Sequence, residues 1–190
     1  MTNVTIFGTG NMGSAIAGVL ASGGASVDHI GTDETRTITG DVVILAVPYT
    51  ALSAITAAYA EQLAGKIVVE TTNPLDFSTF DSLVVPVGGS ATAELAEALP
   101  SSKVIKGFNT TFAATLSTKK VGDSATTVLL AGDDAEAKAT VAGLITAGGV
   151  KAIDAGSLKR AHELEAMGFL QLTLAAGEKI SWTGGFAIAE

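Results

Sequence analysis

The amino-acid sequence predicts an α/β protein built on a doubly wound, mostly parallel sheet. Three observations lead to this prediction. Short runs of Val, Ile and Leu alternate along the chain with alanine-rich stretches at helical spacing. Hydrophobic residues make up 47% of the chain but aromatic residues only 5%, which is typical of buried parallel strands covered by helices. The third observation is a Gly8-x-Gly10-x-x-Gly13 pattern between the first strand and the first helix.

The glycine pattern lies in the strand–turn–helix setting that dinucleotide-binding (Rossmann) folds require, because a strand is expected at about residues 4–7 and a helix at about residues 12–21. In this setting Gly8 permits the tight turn, Gly10 permits close approach to a pyrophosphate, and Gly13 permits the helix to pack on the strand. The positive end of the helix then faces the phosphates. We expect the whole loop to contact the nucleotide: Gly8, Thr9, Gly10, Asn11, Met12 and Gly13.

The next crossover is too short to contain a helix. Strand two is expected at residues 26–30 and the next strand at residues 41–47, so about ten residues separate them. A parallel crossover with a helix needs at least about a dozen residues, whereas ten extended residues span roughly 30 Å. The sequence therefore predicts a Rossmann sheet shortened by loss of the second helix and third strand, with the Val42 strand beside strand one. Strand two becomes a bare edge, so we expect a homodimer.

The rest of the chain continues the alternation and is predicted to complete a single NAD(P)-binding domain over residues 1–190. Further helices are expected at 49–63, 90–99, 133–147 and 157–176, and further strands at 66–70, 103–108, 126–131 and 150–153. Ser90 and the Asp133-x-x-Glu136 pattern are the expected helix caps. Residues 75–89 are expected to be irregular. The apolar tail, residues 182–189, is expected to pack on the domain or on a partner subunit.

Charge and cysteine content exclude several classes of function. The formal net charge is −8 and there is no basic stripe, so nucleic acid and anionic membranes are poor partners. The absence of cysteine excludes disulfides, thiolate catalysis and cysteine metal sites. The sequence begins directly in a strand rather than in a signal peptide, so a cytoplasmic protein is expected. Pro48 interrupts the apolar stretch 42–60, which is better explained as a strand and a helix than as a membrane span.

Ligands of open α/β sheets bind beyond the carboxyl ends of the strands. The five predicted strand ends carry small, hydroxyl, amide or proline residues and almost no charge. Such a lining suits a neutral nicotinamide ring better than a metal ion or a triphosphate, and the sequence contains no P-loop motif. We therefore expect cofactor contacts from two further strand ends: Ala46, Val47, Pro48, Tyr49, Thr72, Asn73 and Pro74.

Together these motifs resemble the 8-hydroxy-5-deazaflavin:NADP oxidoreductase family, which is related to the cytosolic domain of the STEAP metalloreductases. The likeness spans nearly the whole chain and rests on residues 8–13, 46–48, 72–75, 106–112 and 154–158. It implies hydride transfer between a nicotinamide and a deazaflavin or similar small-molecule electron acceptor. It also implies that the glycine loop holds the pyrophosphate and that Pro48 and Asn73-Pro74 border the nicotinamide. The residues implied to bind the acceptor are Asn109, Thr110 and Phe112.

The residues after strand two bear on the choice of cofactor. The family usually has a basic pair here for a 2′-phosphate, whereas this chain has Thr32-Asp33. An acid about 20 residues after the last glycine normally accepts a hydrogen bond from a free 2′-hydroxyl, which indicates NAD. Against this, a small cluster suits a phosphate: Thr32, Thr35, Arg36 and Thr37. We expect NADP(H), with NAD as the alternative, and cofactor contacts from Thr32, Asp33 and Arg36.

Few residues are candidates for proton transfer, and none is assigned as catalytic. Neither tyrosine has a lysine four residues on, and no His–Asp pair is evident. His29 is interpreted as structural and His162 as part of a solvated or interface helix face, with a substrate contact by Arg160 or His162 as the alternative. This shortage favours hydride exchange with a flavin-like ring, where positioning carries the chemistry. A non-catalytic NADP(H)-sensing module and a carbonyl or imine reductase, with water or Tyr49 as proton source, stay open.

Overall fold

The computed structural model of the protein describes residues 1–32 and 34–189, which form a seven-stranded sheet flanked by helices. The strands are β1 (Asn3–Phe7), β2 (Ser26–Ile30), β3 (Val42–Leu45), β4 (Ile67–Glu70), β5 (Lys103–Lys106), β6 (Lys120–Val121), β7 (Ser124–Ala125), β8 (Thr127–Gly132) and β9 (Lys151–Gly156). The helices are α1 (Asn11–Ser22), α2 (Leu52–Leu63), α3 (Ala91–Ala98), α4 (Ala113–Thr118), α5 (Ala135–Ala147) and α6 (Ala161–Ala176). Short 3₁₀ turns at Tyr49–Ala51 and Leu158–Arg160 lead into α2 and α6.

The strand order in the large sheet is β2-β1-β3-β4-β5-β8-β9, and β6 and β7 form a separate hairpin. Strands β1 to β5 all run parallel, whereas β8 pairs antiparallel with β5 and parallel with β9. The chain leaves β1 toward β2 on one side and returns to β3 on the other, so the strand order reverses at β1. The predicted doubly wound, mostly parallel sheet is confirmed, and its reversal point is where such sheets bind ligands.

The shortened crossover is also confirmed. Residues 34–41 contain neither helix nor strand, and β3 pairs with β1 on the side away from β2, with Val42 opposite Val4. The segment passes so close to β1 that a Cβ atom on Gly40 would lie 2.6 Å from the backbone nitrogen of Thr5. The Thr5 hydroxyl accepts a hydrogen bond from the Gly40 N–H at 3.0 Å. A glycine and a hydroxyl therefore take the place of the missing helix and strand in fixing this crossover.

Strand β2 is at the edge of the sheet, but its outer side has fewer free backbone acceptors than the sequence predicted. The Arg36 side chain donates from Nη1 to the carbonyl oxygen of His29, 2.8 Å away. This bond occupies one of the backbone acceptors that strand pairing would need.

Several predicted boundaries are wrong by a few residues: β3 ends at Leu45 rather than residue 47, and β9 ends at Gly156 rather than residue 153. Strand β5 ends at Lys106 rather than Phe108, because Phe108 takes a left-handed conformation with φ of 64°. Asp134, not Asp133, caps α5, since its carboxylate accepts from the Ala137 N–H at 2.8 Å. Helix α6 begins at Ala161, after a 3₁₀ turn, rather than at residue 157. The Ser90 cap of α3 is confirmed: its hydroxyl accepts from the Ala93 N–H at 3.0 Å.

Two hydrophobic cores cover the two faces of the sheet. One includes Ile16 and Leu20 of α1 with Ile145 of α5, and the other includes Leu63 of α2 with Leu95 of α3. Each such side chain, when fully buried, stabilises the fold by about 1.5–3 kcal/mol. Cores on both faces hold the sheet rigid and leave the strand ends as the place for a site. No helix in the described part of the chain is long and apolar enough to cross a membrane.

The C-terminal tail packs on the domain, which is one of the two arrangements that the sequence predicted. The Phe186 N–H donates to Oε1 of Gln171 in α6 at 2.9 Å. The Trp182 ring lies against Phe112, with ring centroids 5.1 Å apart. The tail therefore returns along α6 to the carboxyl end of β5.

Candidate functional site

The glycine loop after β1 brings backbone into contact with backbone. A Cβ atom on Gly8 would lie 2.2 Å from the Ala46 carbonyl oxygen, and one on Gly13 would lie 2.5 Å from the Gly8 carbonyl oxygen. Gly8 also has a φ of 108°, which disfavours any side chain. At Gly10, in contrast, no described atom lies within 4 Å of the Cβ position. The loop is therefore closed at Gly8 and Gly13 and open at Gly10.

The open position coincides with the start of helix α1. No side chain caps this end of the helix, and its first turn contains no acidic residue. The free N–H groups and the positive helix end are therefore available to an anion. The exposed Thr9 lies in the turn before the helix, and Asn11 and Met12 are its first residues.

His29 of β2 supports the glycine loop. Its Nδ1 lies 2.9 Å from the Gly8 carbonyl oxygen. Because a carbonyl can only accept, Nδ1 carries the hydrogen and donates. The structure thus gives His29 a structural role in holding the turn.

A mainly apolar cavity of about 320 Å³ lies beyond the ends of β1, β2 and β3. Its walls come from strand ends on one side and α2 on the other, and Glu34 and Thr32 lie among the lining residues. The full lining is Phe7, Gly8, Ile30, Gly31, Thr32, Glu34, Val47, Pro48, Ala51, Ala54, Ile55 and Tyr59. We call this the adenosine-side cavity, because its size and apolar lining fit a planar base.

Arg36 is held by acidic neighbours at the end of β2. Its Nη1 lies 3.7 Å from Oε2 of Glu34, and its Nη2 lies 3.9 Å from Oδ2 of Asp28. Glu34 in turn accepts from the Gly31 N–H at 3.2 Å. The predicted phosphate ligand is therefore already paired with two carboxylates. Asp33, the other residue predicted here, lies outside the described residues.

A second cavity of about 390 Å³ lies beyond the ends of β4 and β5, next to the start of α1. It brings together five of the residues predicted from sequence, although these are far apart in the chain: Asn11, Met12, Asn73, Asn109 and Phe112. Thr71, Thr111, Ala113, Ala114, Leu172 and Trp182 complete the lining. We call this the nicotinamide-side cavity, because it contains Asn73, beside which the sequence resemblance implies the nicotinamide. Thr72, Pro74 and Thr110 are buried beside it but do not line it, and Trp182 was not predicted.

Two asparagine side chains are paired at this cavity. Asn73 donates from Nδ2 to the Asn109 carbonyl oxygen at 2.8 Å, and Asn109 donates from Nδ2 to Oδ1 of Asn73 at 2.8 Å. Asn109 Nδ2 also donates to the Leu164 carbonyl oxygen of α6 at 2.8 Å. Both Nδ2 hydrogens of Asn109 are therefore used, which fixes its orientation. Helix α6 approaches closely here, because a Cβ atom on Gly168 would lie 2.2 Å from Oδ1 of Asn73.

Two buried oxygen atoms at this place lack a described partner: Oδ1 of Asn109 and Oγ1 of Thr72. A buried polar atom left unsatisfied costs about 1–3 kcal/mol. Such atoms beside a cavity lined by Asn109 indicate a ligand that carries hydrogen-bonding groups.

Tyr49 lies in neither cavity. Its hydroxyl donates to Oε2 of Glu94 at 2.6 Å, in a groove between α2 and α3. This hydrogen bond, with burial and the nearby negative charge, raises the pKa of Tyr49 to about 12. The structure therefore separates Tyr49 from its neighbour Pro48, which lines the adenosine-side cavity.

The other proton-transfer candidates lie outside both cavities. Nδ1 of His162 donates to the Gly89 carbonyl oxygen at 3.0 Å, and Arg160 pairs with Glu163 at the surface at 2.8 Å. Within residues 1–32 and 34–189, no three acidic or histidine side chains are grouped so as to hold a metal ion.

Sequence reasoning missed a buried ion cluster behind the nicotinamide-side cavity. The Lys106 ammonium lies 2.6 Å from Oε2 of Glu70 and 2.9 Å from Oε1 of Glu165, and all three side chains are almost completely inaccessible. Burial raises the pKa of Glu165 above its ordinary value, although Lys106 opposes this shift. The available signal was a charged residue at the end of each of two apolar strands, Glu70 after Ile67-Val68-Val69 and Lys106 after Val104-Ile105.

The Rossmann-type sheet and the similarity to known reductases define the class of this protein: it is an NADP-dependent oxidoreductase. No protein-family model matches the chain. The F420-dependent NADP reductase of Methanocaldococcus jannaschii is 33% identical over 171 residues, which cover 87% of this chain and 76% of that protein. The chain belongs to the F420-dependent NADP reductase family, which confirms the resemblance found in the sequence motifs.

Two further similarities agree with this assignment. A crystal structure from Arthrobacter sp. FB24, provisionally described as an F420-dependent NADP-reductase, has a TM-score of 0.84 and 28% identity and covers 100% of both chains. The metalloreductase STEAP3 of Rattus norvegicus is 38% identical over 109 residues, which cover 57% of this chain but only 21% of that protein. The similarity to STEAP3 therefore concerns one part of that larger protein.

Proposed function

We propose that the protein transfers a hydride between the nicotinamide of NADP(H) and a deazaflavin of the F420 type. The observation that carries this proposal is the nicotinamide-side cavity, where the start of α1 meets the paired amides of Asn73 and Asn109. Membership of the family supports it, because the name of the Methanocaldococcus relative gives both the cofactor and the acceptor.

The residues present fit a dinucleotide. The space at Gly10 and the uncapped start of α1 suit a pyrophosphate, and the adenosine-side cavity suits a base. At the opposite end, Asn109 lines the cavity with an unpaired Oδ1, which is an acceptor that the amide hydrogens of a nicotinamide carboxamide would match. When bound, NADPH supplies the hydride, and the protein supplies binding and orientation.

The proposal assigns the predicted residues to four parts of one site. Residues 8–13 hold the pyrophosphate, and Thr32 and Arg36 contact the adenosine and its ribose, as Asp33 is predicted to do from the sequence. Val47 and Pro48 line the adenosine-side cavity, so the proposal moves Pro48 away from the nicotinamide, beside which the resemblance had put it. Ala46, Thr72, Asn73 and Pro74 border the nicotinamide. Asn109, Thr110 and Phe112, together with Trp182, form the acceptor side. Tyr49 receives no role, because its hydroxyl is bound to Glu94.

Positioning is the protein's main contribution to this reaction. Hydride exchange between two ring carbons needs no side-chain acid or base at those carbons, and the proton that the deazaflavin takes up on a ring nitrogen comes from solvent. The buried ring of Phe112, with the half-exposed Trp182 ring against it, gives the acceptor side an apolar wall that suits a planar ring.

We also propose that the protein is a homodimer. Apolar side chains on α6 and the tail are unusually exposed: Leu170 and Trp182 at 51% and Phe186 at 42%. Light scattering during size-exclusion chromatography measures the mass directly.

The function is tested by mixing the purified protein with NADPH and 8-hydroxy-5-deazaflavin and following the absorbance of both. We expect turnover with the deazaflavin, and parallel reactions with FMN, a quinone and a cyclic imine define the acceptor class. Asn109→Leu should abolish turnover while NADPH still binds, because the pyrophosphate and adenosine contacts remain. Asn3→Leu, the same change at an exposed position on β1, is the control.

The remaining outcomes separate the alternatives. NADPH binding without turnover of any acceptor would favour a sensing module over an enzyme. Turnover of the imine alone would favour an imine reductase. Failure to bind NADPH would overturn the proposal.

A further inference from the structure

The buried ion cluster behind the nicotinamide-side cavity joins four elements of the fold. Glu70 ends β4, Lys106 ends β5, Glu165 lies in α6, and Thr92 lies in α3. The Thr92 hydroxyl donates to Oε2 of Glu70 at 2.7 Å, and the Ala91 N–H donates to Oε2 of Glu165 at 3.0 Å. The cluster is thus held by the start of α3 as well as by its own charges.

The cluster binds both backbone polar groups of Thr72, which lies in the loop after β4. The Lys106 ammonium donates to the Thr72 carbonyl oxygen at 2.5 Å, and the Thr72 N–H donates to Oε1 of Glu70. An ammonium group has three hydrogens, and Lys106 uses them on Glu70, Glu165 and Thr72. The orientation of the Thr72 backbone is therefore set by a lysine that reaches neither cavity.

The cluster also constrains the paired side-chain amides of Asn73 and Asn109. Asn73 directly follows Thr72, and Asn109 lies three residues after Lys106. On α6, the Leu164 carbonyl oxygen accepts from Asn109 at 2.8 Å, and the next residue, Glu165, binds Lys106. The cluster and the amide pair therefore lock the ends of β4 and β5 to the same point of α6.

We propose that Lys106 is a positioning residue for hydride transfer: held between Glu70 and Glu165, it fixes the Thr72-Asn73 backbone and thereby the Asn73–Asn109 amide pair. This inference rests on the proposed function, since the amide pair borders the reacting rings only if the nicotinamide lies in that cavity. A displacement of about 1 Å in such a position costs on the order of 100-fold in rate.

Stability alone does not account for the cluster. Burying two carboxylates and one ammonium carries a large desolvation penalty, and replacing a buried ion group with neutral side chains of similar volume is often neutral or stabilising. A purely structural cluster would therefore be replaceable without loss of function, whereas a positioning cluster would not.

The experiment compares the wild type with the triple variant Lys106→Met/Glu70→Gln/Glu165→Gln. Each glutamine keeps one acceptor oxygen, for the Thr72 and Ala91 N–H groups, and presents its amide nitrogen to Thr92. The variant therefore removes the donor to the Thr72 carbonyl and also the bonds that Thr92 makes to the two carboxylates, which lie at the start of α3 and not in the 72–75 loop. We expect turnover per folded molecule to fall about 10- to 100-fold, while the Kd for NADPH changes by less than about threefold. In the ligand-free protein, the backbone amides of Thr72, Asn73 and Leu75, which are the three amides within residues 72–75, should exchange hydrogen faster.

The matched control is Lys103→Met/Asp134→Asn, which removes an ion pair from the surface end of the same strand, where the two groups lie 3.1 Å apart. It should leave turnover and exchange at residues 72–75 unchanged. If the triple variant does not fold, Lys106→Met/Glu70→Gln gives the same readouts, because the retained Glu165 has a raised pKa and can take up a proton.

Wild-type turnover and wild-type exchange in the folded variant would overturn the positioning role and leave the proposed function intact. A wild-type protein that turns over no acceptor would overturn the proposed function. In that event, unchanged exchange at residues 72–75 would still reject the positioning of this loop by Lys106.

Discussion

A Cβ atom on Gly13 would lie 2.5 Å from the carbonyl oxygen of Gly8, so helix α1 contacts its own preceding turn backbone to backbone. Gly10, between them in the same motif, has no described atom within 4 Å of its Cβ position. The three glycines therefore serve two purposes. Gly8 and Gly13 permit the fold, whereas Gly10 keeps open a space that the protein itself does not fill.

This difference predicts that Gly10→Ala leaves stability within about 1 kcal/mol of the wild type but weakens NADPH binding by at least about tenfold. Gly18→Ala is the control, because Gly18 also has open space around its Cβ position but lies in the middle of α1. It should stabilise the helix by about 0.5–1 kcal/mol and leave binding unchanged. Thermal denaturation and NADPH titration measure both effects. Wild-type binding by Gly10→Ala would show that the pyrophosphate lies elsewhere.

The sheet and much of the site could be predicted because each depended on local pattern or on chain length. The shortened crossover followed from counting the residues between β2 and β3, since a helix cannot fit into so few. Five residues of the nicotinamide-side cavity were predicted for different reasons: Asn11 and Met12 follow from the glycine motif, Asn73 from the end of a parallel strand, and Asn109 and Phe112 from the family resemblance.

The ion cluster could not be predicted because it depends on how helices pack. Lys106 and Glu165 are 59 residues apart, and only the approach of α6 to β5 brings them together. Charged residues are almost never fully buried unless paired, and the sequence pattern did not indicate this pairing. The predicted cap of α5 was one residue too early. Asp133 and Asp134 are both suitable capping residues, and because β8 ends at Gly132 the first turn of the helix follows Asp134.

Glu34 should limit the preference for NADP(H). Its carboxylate lines the adenosine-side cavity and lies 3.7 Å from Nη1 of Arg36, so it both repels a 2′-phosphate and competes for the cation. Glu34→Gln keeps an acceptor for the Gly31 N–H and removes the charge. We expect NADPH affinity to rise about three- to tenfold, which corresponds to about 1 kcal/mol for one partly exposed charge, with little change for NADH. Equal gains for both nucleotides would contradict this. Glu61→Gln, at an exposed site on α2, is the control.

The buried Glu165 should make stability depend on pH in a defined direction. Burial raises its pKa above the ordinary value of 4.5, so the folded protein favours the protonated form. The stability linked to that proton is present below 4.5 and is lost as pH rises through the raised pKa. Glu165→Gln mimics the protonated acid, so its unfolding free energy relative to the wild type should increase with pH above about 4.5. Urea denaturation at several pH values measures this trend.

Glu163, two residues earlier on α6, gives the opposite sign and serves as the control. A hydrogen bond from its own backbone amide and the charge of Arg160 lower its pKa. The charged form is therefore favoured by folding, and its contribution is present at neutral pH and lost as pH falls through the lowered pKa. Glu163→Gln should lose stability relative to the wild type as pH rises. A flat or falling trend for Glu165→Gln would contradict its placement in a desolvated cluster.

The Tyr49 hydroxyl should remain protonated far into the alkaline range. Its hydrogen bond to Glu94, followed by burial, raises its pKa to about 12. The chain has only two tyrosines, so Tyr59→Phe leaves the absorbance of Tyr49 as the single tyrosinate signal. In that background, Glu94→Gln should lower the titration midpoint toward the ordinary value of 10.0. An unchanged midpoint would show that Glu94 does not hold the hydroxyl. If the midpoint is near 10 already in the Tyr59→Phe protein, the Tyr49 phenol is free to turn toward a substrate. Tyr49 would then again be a candidate proton donor for carbonyl reduction.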